Sequence, residues 1–172
     1  MTNTLSPIRI GIVCAANNIE ILNRRLLSSP DIKMADVPIF VVYNSASAAD
    51  AYATAAASAI SVDWWVWVHQ DVFLPAGWIE NFKQQIIQAS RQWPNLAVAG
   101  SYGLTPTWQR AGRLLDRGVL LHEDHPLPCL AKSFDEHLVA LRADARLEFD
   151  PALGFDLYAT DVAIVAEQHG FC

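Results

Sequence analysis

Trp64-Trp65-Val66-Trp67-Val68, followed at once by His69-Gln70-Asp71, is the stretch on which the fold turns. Its five residues are apolar throughout, so the run reads as a strand covered on both faces, as in the interior of an α/β sheet. Outward from it, Ser47 to Ile60 is Ala-rich, with Ser45 or Ser47 placed to cap a tightly packed helix. Val37 to Tyr43 and Ile8 to Cys14 are two further strands. Asn17 and Asn18 cap a helix carrying Ile19, Leu22, Leu26 and Leu27 at helical spacing, which Pro30 ends. Downstream, Trp78 to Trp93 is an amphipathic helix and Leu96 to Tyr102 a fourth strand. This β-α-β-α-β-α-β order predicts an α/β fold, a mainly parallel central sheet flanked by helices, in one domain over 1–172. Gly103 to Pro128 reads as a meandering loop or hairpin region, His137 to Leu141 as a strand, Asp150 to Gly154 as a turn. Tyr158 to His169 reads as a helix that Gly170 stops.

The chain has 172 residues, 52 % hydrophobic and 17 % charged, which excludes a disordered or low-complexity protein. The net charge is −6 and the only adjacent basic pair is Arg24-Arg25, so no nucleic-acid partner is expected. An acidic protein still binds an anionic substrate when a metal ion bridges the two. No apolar run reaches the length of a membrane span, and Met1 to Pro7 shows no basic segment followed by an apolar one. Cys14, Cys129 and Cys172 are scattered and form no disulfide framework, which suits a reducing cytoplasm.

Ligands of open parallel sheets bind beyond the carboxyl ends of the strands. Ala15 and Asn17 fall there after the first strand, Asn44 and Ser45 after the second, and His69, Gln70 and Asp71 after the third. Residues two apart on an extended chain face the same side, which brings His69 and Asp71 to one ligand. A hard divalent ion takes carboxylate oxygen together with phosphate oxygens. The plainer alternatives are that Asp71 caps a turn and His69 is a satisfied buried histidine. Asp135-Glu136 opens a strand, and Asp156, Tyr158 and Asp161 surround the start of the last helix, where Asp156 suits an N-cap. His122 and His125 lie in a Pro-rich loop without a nearby cysteine, a poor zinc set. The dinucleotide-binding glycine pattern, the P-loop and the hydrolase nucleophile elbow are all absent from the sequence.

Several segments, in order, resemble family 2-like glycosyltransferases. Val66 to Trp78 (VWVHQDVFLPAGW) resembles their "HQDV-LP-GW" segment, and Asn44 to Tyr52 their "SAA-AYN" helix start. Val98 to Gly103 resembles "VAGxxG", Phe134 to Arg142 "LDE-LLVLR", and Phe149 to Tyr158 "FD-LGFHLY", after which Asp161 matches the acidic residue opening the last helix. The resemblance implies a glycosyltransferase A-type fold, a nucleotide-sugar donor, a glycan or small-molecule acceptor, and Mg²⁺ or Mn²⁺. By the same resemblance Asp71 and His69 hold the metal, while Ala15, Asn17, Asn44, Ser45 and Gln70 line the donor site. Asp135, or else Asp161, removes the acceptor proton for inverting transfer, and Asp156 and Tyr158 touch acceptor or metal. There are three departures, of which the first and the last favour the alternative of a catalytically silent nucleotide-binding or scaffolding domain. Asp156 replaces the family's histidine, Ala53 replaces an asparagine, and the sequence stops at Cys172 where the family continues into another strand. Nucleotidyl transfer ranks last, for want of a Gly-rich basic loop after the first strand.

Overall fold

The computed structural model describes residues 8–34 and 37–172; the reading of Met1 to Pro7 lies outside them. The chain opens with β1 (Ile10–Ala16) and α1 (Ile19–Arg24), whose first turn is capped by Asn18 Oδ1 accepting from the N–H groups of Glu20 and Ile21. Pro30 does not end this helix. A 3₁₀ turn at Leu26–Ser28 intervenes, and Pro30 begins α2 (Pro30–Met34), where the missing N–H of proline is harmless. Then come β2 (Ile39–Tyr43), α3 (Ala48–Ala56), β3 (Trp64–Val68) and α4 (Trp78–Gln92). Of the two serines placed to cap α3, it is Ser47 whose Oγ accepts from Asp50 N–H. The segment read as one strand from Leu96 to Tyr102 is two, β4 (Val98–Gly100) and β5 (Tyr102–Leu104), bent apart at Ser101. There follow β6 (Arg110–Asp116), β7 (Val119–His122), β8 (Ser133–Phe134), β9 (Leu138–Arg142) and α5 (Tyr158–Gln168).

The expected mainly parallel, glycosyltransferase A-type sheet is corrected by the strand pairings. A five-stranded sheet has the order β2-β1-β3-β9-β4, with β1 parallel to β2 and β3 but β9 antiparallel to both β3 and β4. A second sheet, β7-β6-β5-β8, is antiparallel throughout. The cause lies in the connection. A parallel return needs a crossover of a dozen or more residues, usually a helix. No helix lies between β4 and β9, and the chain makes the second sheet instead. It leaves β4 and re-enters β9 at the same end of the first sheet, so β9 must run backwards.

The first sheet is covered on both faces, as its unbroken apolar strands predict. Trp65 and Trp67 of β3, with Val139 and Leu141 of β9, pack against Ala48, Ala51 and Ala55 of α3 and Tyr158 and Val162 of α5. Trp64, Val66 and Val68, with Leu138 and Ala140, point the other way, towards Leu22, Leu26, Ile79 and Ile86. Alanines let α3 lie close to the sheet, which leaves room for the bulky tryptophans. Gly11 is fixed by the same packing: a Cβ there would collide with the Trp65 ring.

Candidate functional site

The antiparallel entry of β9 sets the amino end of that strand beside the carboxyl end of β3. His137 O accepts from His69 N–H at 3.0 Å, continuing the ladder one pair past Val68 and Leu138. Three hydrogen-bonded groups gather at this end of the sheet.

In the first, Gln70 ties β3 to the start of α1. Its Oε1 accepts from the N–H groups of Asn17 (3.2 Å) and Asn18 (3.0 Å), and its Nε2 donates to Asn17 Oδ1 at 2.7 Å. Two of the three predicted donor-site amides, Asn17 and Gln70, are therefore engaged with each other. In the second, Tyr158 is fully buried beneath the site. Its hydroxyl donates its one proton to Glu136 O (2.7 Å), accepts from Trp67 Nε1–H (2.8 Å), and lies 2.6 Å from His69 Nε2. With that proton spent, His69 must donate through Nε2, leaving the Nδ1 lone pair with no partner among the described residues. Burial holds His69 below the usual imidazole range, against a smaller opposing pull from Asp71 and Asp135. Burial likewise lifts the Tyr158 hydroxyl above the usual phenol range.

The third group is a relay. Asp135 Oδ1 lies 2.6 Å from His137 Nδ1, and His137 Nε2 lies 2.7 Å from Ser101 Oγ. The hydrogen bond from His137 holds the Asp135 carboxyl below its ordinary range, partly offset by burial. An ionised carboxylate only accepts, so Nδ1 carries a proton, and the neutral form of the ring is then the tautomer that presents its Nε2 lone pair to the Ser101 hydroxyl. The same Oδ1 also accepts from the His137 backbone N–H at 3.0 Å, which locks the carboxylate beneath the ring. Next to it, burial pushes the Glu136 carboxyl up, against a smaller pull from the Leu157 backbone and with Asp156 and Asp135 adding to the rise, and its Oε1 is buried with no partner among the described residues.

Asp71 is exposed and makes no hydrogen bond or ion pair among the described residues. It shares with Ser101, Asp135 and His137 a cleft of about 1490 Å³ that runs between α4 and the β6–β7 hairpin. Asn44, Ser45, Ala15 and Asn17 do not line this cleft, nor do His69, Gln70, Asp156, Tyr158 and Asp161. Asn44 has a positive φ of 53° and donates its N–H to Ala16 O, so β2 ends level with β1, while Ser45 Oγ is buried without a partner among the described residues. Asp156 is exposed, and half-buried Asp161 sits in the first turn of α5.

Sequence reasoning noted Glu136 only beside Asp135 and missed Ser101 and His137. The signal for His137 was present: it stands two residues beyond Asp135, the same spacing that paired His69 with Asp71. Ser101 was hidden by reading β4 and β5 as one strand.

Among the described residues no three His, Cys, Asp or Glu side chains gather to hold a metal ion. An Mg²⁺-like ion asks for less, since it keeps several waters and takes one or two carboxylates plus substrate phosphates. The unpartnered Asp71 carboxylate, with His69 Nδ1 nearby in sequence and unengaged, fits that smaller demand. No protein-family model matches the chain, and no curated protein matches it.

Proposed function

We propose that the protein transfers a sugar from a nucleotide-sugar donor to an acceptor hydroxyl with inversion, aided by Mg²⁺ or Mn²⁺. The observation that carries this reading is the unpartnered Asp71 carboxylate on the same cleft as the Asp135–His137 pair, within a segment that resembles the family's metal-holding motif. Asp71 and His69 Nδ1 would hold the ion, whose charge would offset the diphosphate of the departing nucleotide. Asp135 is the residue assigned to the acceptor proton, through Oδ2, which has no partner among the described residues. His137 orients that carboxylate and stabilises its charge. Asp161, on α5, is the second candidate for the base. Tyr158 acts at a distance, by fixing the tautomer of His69.

The alternative, a silent nucleotide-binding domain, draws on the mutual engagement of Gln70 and Asn17, which leaves fewer free groups for a donor. Metal-dependent hydrolysis of nucleotide-sugars separates the two readings.

The direct test is a panel of nucleotide-sugars with Mn²⁺. At a hundredfold excess over Kd a bound donor adds about 2.7 kcal/mol and raises Tm by about 5–10 °C for a chain of this size. Asp71→Asn should abolish the metal-dependent part of the shift and leave the Tm of the free protein unchanged, since an exposed, unpartnered carboxylate contributes little to stability. An unchanged metal-dependent shift in that variant assigns Asp71 to a turn and removes the reading.

A further inference from the structure

Ser101, His137 and Asp135 place a hydroxyl, an imidazole and a carboxylate in line, at 2.7 and 2.6 Å, and the sugar-transfer reading leaves Ser101 without a task. The three come from separate parts of the fold. Ser101 is the bend at which the chain leaves one sheet for the other, while Asp135 and His137 sit where it returns. The bend is held rigidly. Ser101 O accepts from Arg113 N–H at 3.0 Å, and Gly112, at φ +112°, lies so close to that carbonyl that any Cβ would collide with it. Ser101 thus stands at the carboxyl end of a sheet strand, its hydroxyl aimed at an imidazole whose tautomer a carboxylate fixes. That is the arrangement by which serine is made nucleophilic on unrelated folds.

The cleft beside it favours one kind of substrate. Trp78 and Phe82 stack at 4.9 Å on α4, Trp93 lies beyond them, and Leu114, Leu121 and Leu127 form the opposite wall. The same cleft thus carries apolar side chains beside the Ser101, His137 and Asp135 groups, as in sites for molecules with an apolar body and a reacting polar group. We propose that Ser101 is the nucleophile of an esterase activity towards carboxylic esters with an apolar acyl chain.

In the first half-reaction Ser101 Oγ bonds to the ester carbonyl carbon as its proton passes to His137 Nε2. The carbon–alkoxy bond then breaks, and the departing alcohol takes that proton. In the second half a water gives a proton to Nε2 and its oxygen bonds to the acyl carbon. The bond to Oγ breaks and Oγ recovers the proton. The sum is ester plus water to acid plus alcohol, and Asp135 stays ionised throughout, balancing the transient imidazolium.

The test uses the full chain in EDTA with no nucleotide-sugar, so its outcome is independent of the sugar-transfer reading. An alkyl fluorophosphonate should label the protein once, with the adduct mapping by mass spectrometry to the peptide that contains Ser101. 4-Nitrophenyl hexanoate should be hydrolysed faster than 4-nitrophenyl acetate. Ser101→Ala should lower kcat/KM by about 10³-fold or more and abolish labelling, with His137→Gln doing the same. Circular dichroism of both variants checks that they fold, and Ser101→Cys, which keeps the shape, should add an iodoacetamide adduct on the peptide containing position 101 to any on Cys129 and Cys172. Labelling that is absent or falls on another serine, or hydrolysis that survives Ser101→Ala, overturns the proposal.

Discussion

The five-stranded and four-stranded sheets of this chain differ in what holds them. All five residues of β3 are buried, and its tryptophans contact helices on both sides. In the β6–β7 hairpin, by contrast, Leu115, Val119 and Leu120 are each at least 60 % exposed, although all three are apolar. The hairpin rests on backbone pairing and on its turn, where Arg117 and Gly118 both take positive φ, as a two-residue turn of right-twisted strands requires. Burial makes one region intolerant of change, and turn geometry with ladder bonds makes the other permissive. The candidate residues sit at the seam: Ser101 where the chain leaves the buried sheet, Asp135 and His137 where it comes back.

The sharpest way to break this contrast is to remove one large side chain from each region. Trp67 is 1 % exposed, packs edge-on against Phe149 and Tyr158, and donates to the Tyr158 hydroxyl at 2.8 Å. Trp67→Ala should cost about 3–5 kcal/mol in urea denaturation. Trp67→Phe keeps most of the volume but loses the hydrogen bond, and should fall between that variant and the wild type. Leu120→Ser, on the hairpin, should stay within about 0.5 kcal/mol. Comparable losses for Trp67→Ala and Leu120→Ser would mean that an unseen partner covers the hairpin or that the core is looser than its burial says.

The same contrast explains what the sequence revealed. Wherever both faces of a strand are buried, the residues say so: Trp64 to Val68 is apolar without a break, and Ser47 followed by alanines announces a capped, close-packed helix. Direction is not written in such a run, because a buried strand has the same composition whether it runs up or down. It is decided by the connection, and the segment from Tyr102 to Phe134 carries glycines, prolines and polar residues whose strands pair through the backbone, with few side-chain bonds such as Tyr102 to Glu123. Missing that second sheet made the central one look mainly parallel. Asp71 and Asp135 were legible as carboxylates at strand ends. Yet the antiparallel entry of β9, which the reading did not foresee, is what sets Asp135 and His137 beside His69. Ser101 was unreadable because a single bent residue between two strands leaves no periodic signal.

A smaller effect tests whether the seam is as dry as its hydrogen bonds suggest. His69 is held below the usual imidazole range chiefly by burial, so it binds fewer protons folded than unfolded. Its contribution to stability is complete above the unfolded value of about 6.5 and is lost as pH falls from there towards the lower folded value. Asp135, held down first by its hydrogen bond from His137, adds a loss at lower pH: its share is complete above 3.8 and disappears as pH falls through the depressed folded value. Urea midpoints measured between pH 7.5 and 5.5 should therefore decline in the wild type and decline less in His69→Gln. An identical slope in both would place His69 in contact with water and remove the argument for its tautomer.

The smallest expected effect concerns the tie between the two regions. Lys132 Nζ, just before β8, donates to Glu167 Oε1 and Oε2 on α5 at 2.7 and 2.5 Å, with side chains 40 % and 61 % exposed. Although bidentate, the pair stands in solvent, where ordering two long side chains offsets most of the attraction. Lys132→Met should cost about 0.2–1 kcal/mol, and the loss should shrink as salt is raised to 1 M, where the screening length is about 3 Å. The second sheet has firmer attachments: its strands continue directly from β4 and into β9, and Phe134 packs on the buried core against Gly100. A loss well above 1 kcal/mol that salt does not diminish would reverse that ranking. The permissive sheet would then be held to the intolerant one by a charge pair, and the position of Ser101 opposite His137 would depend on it.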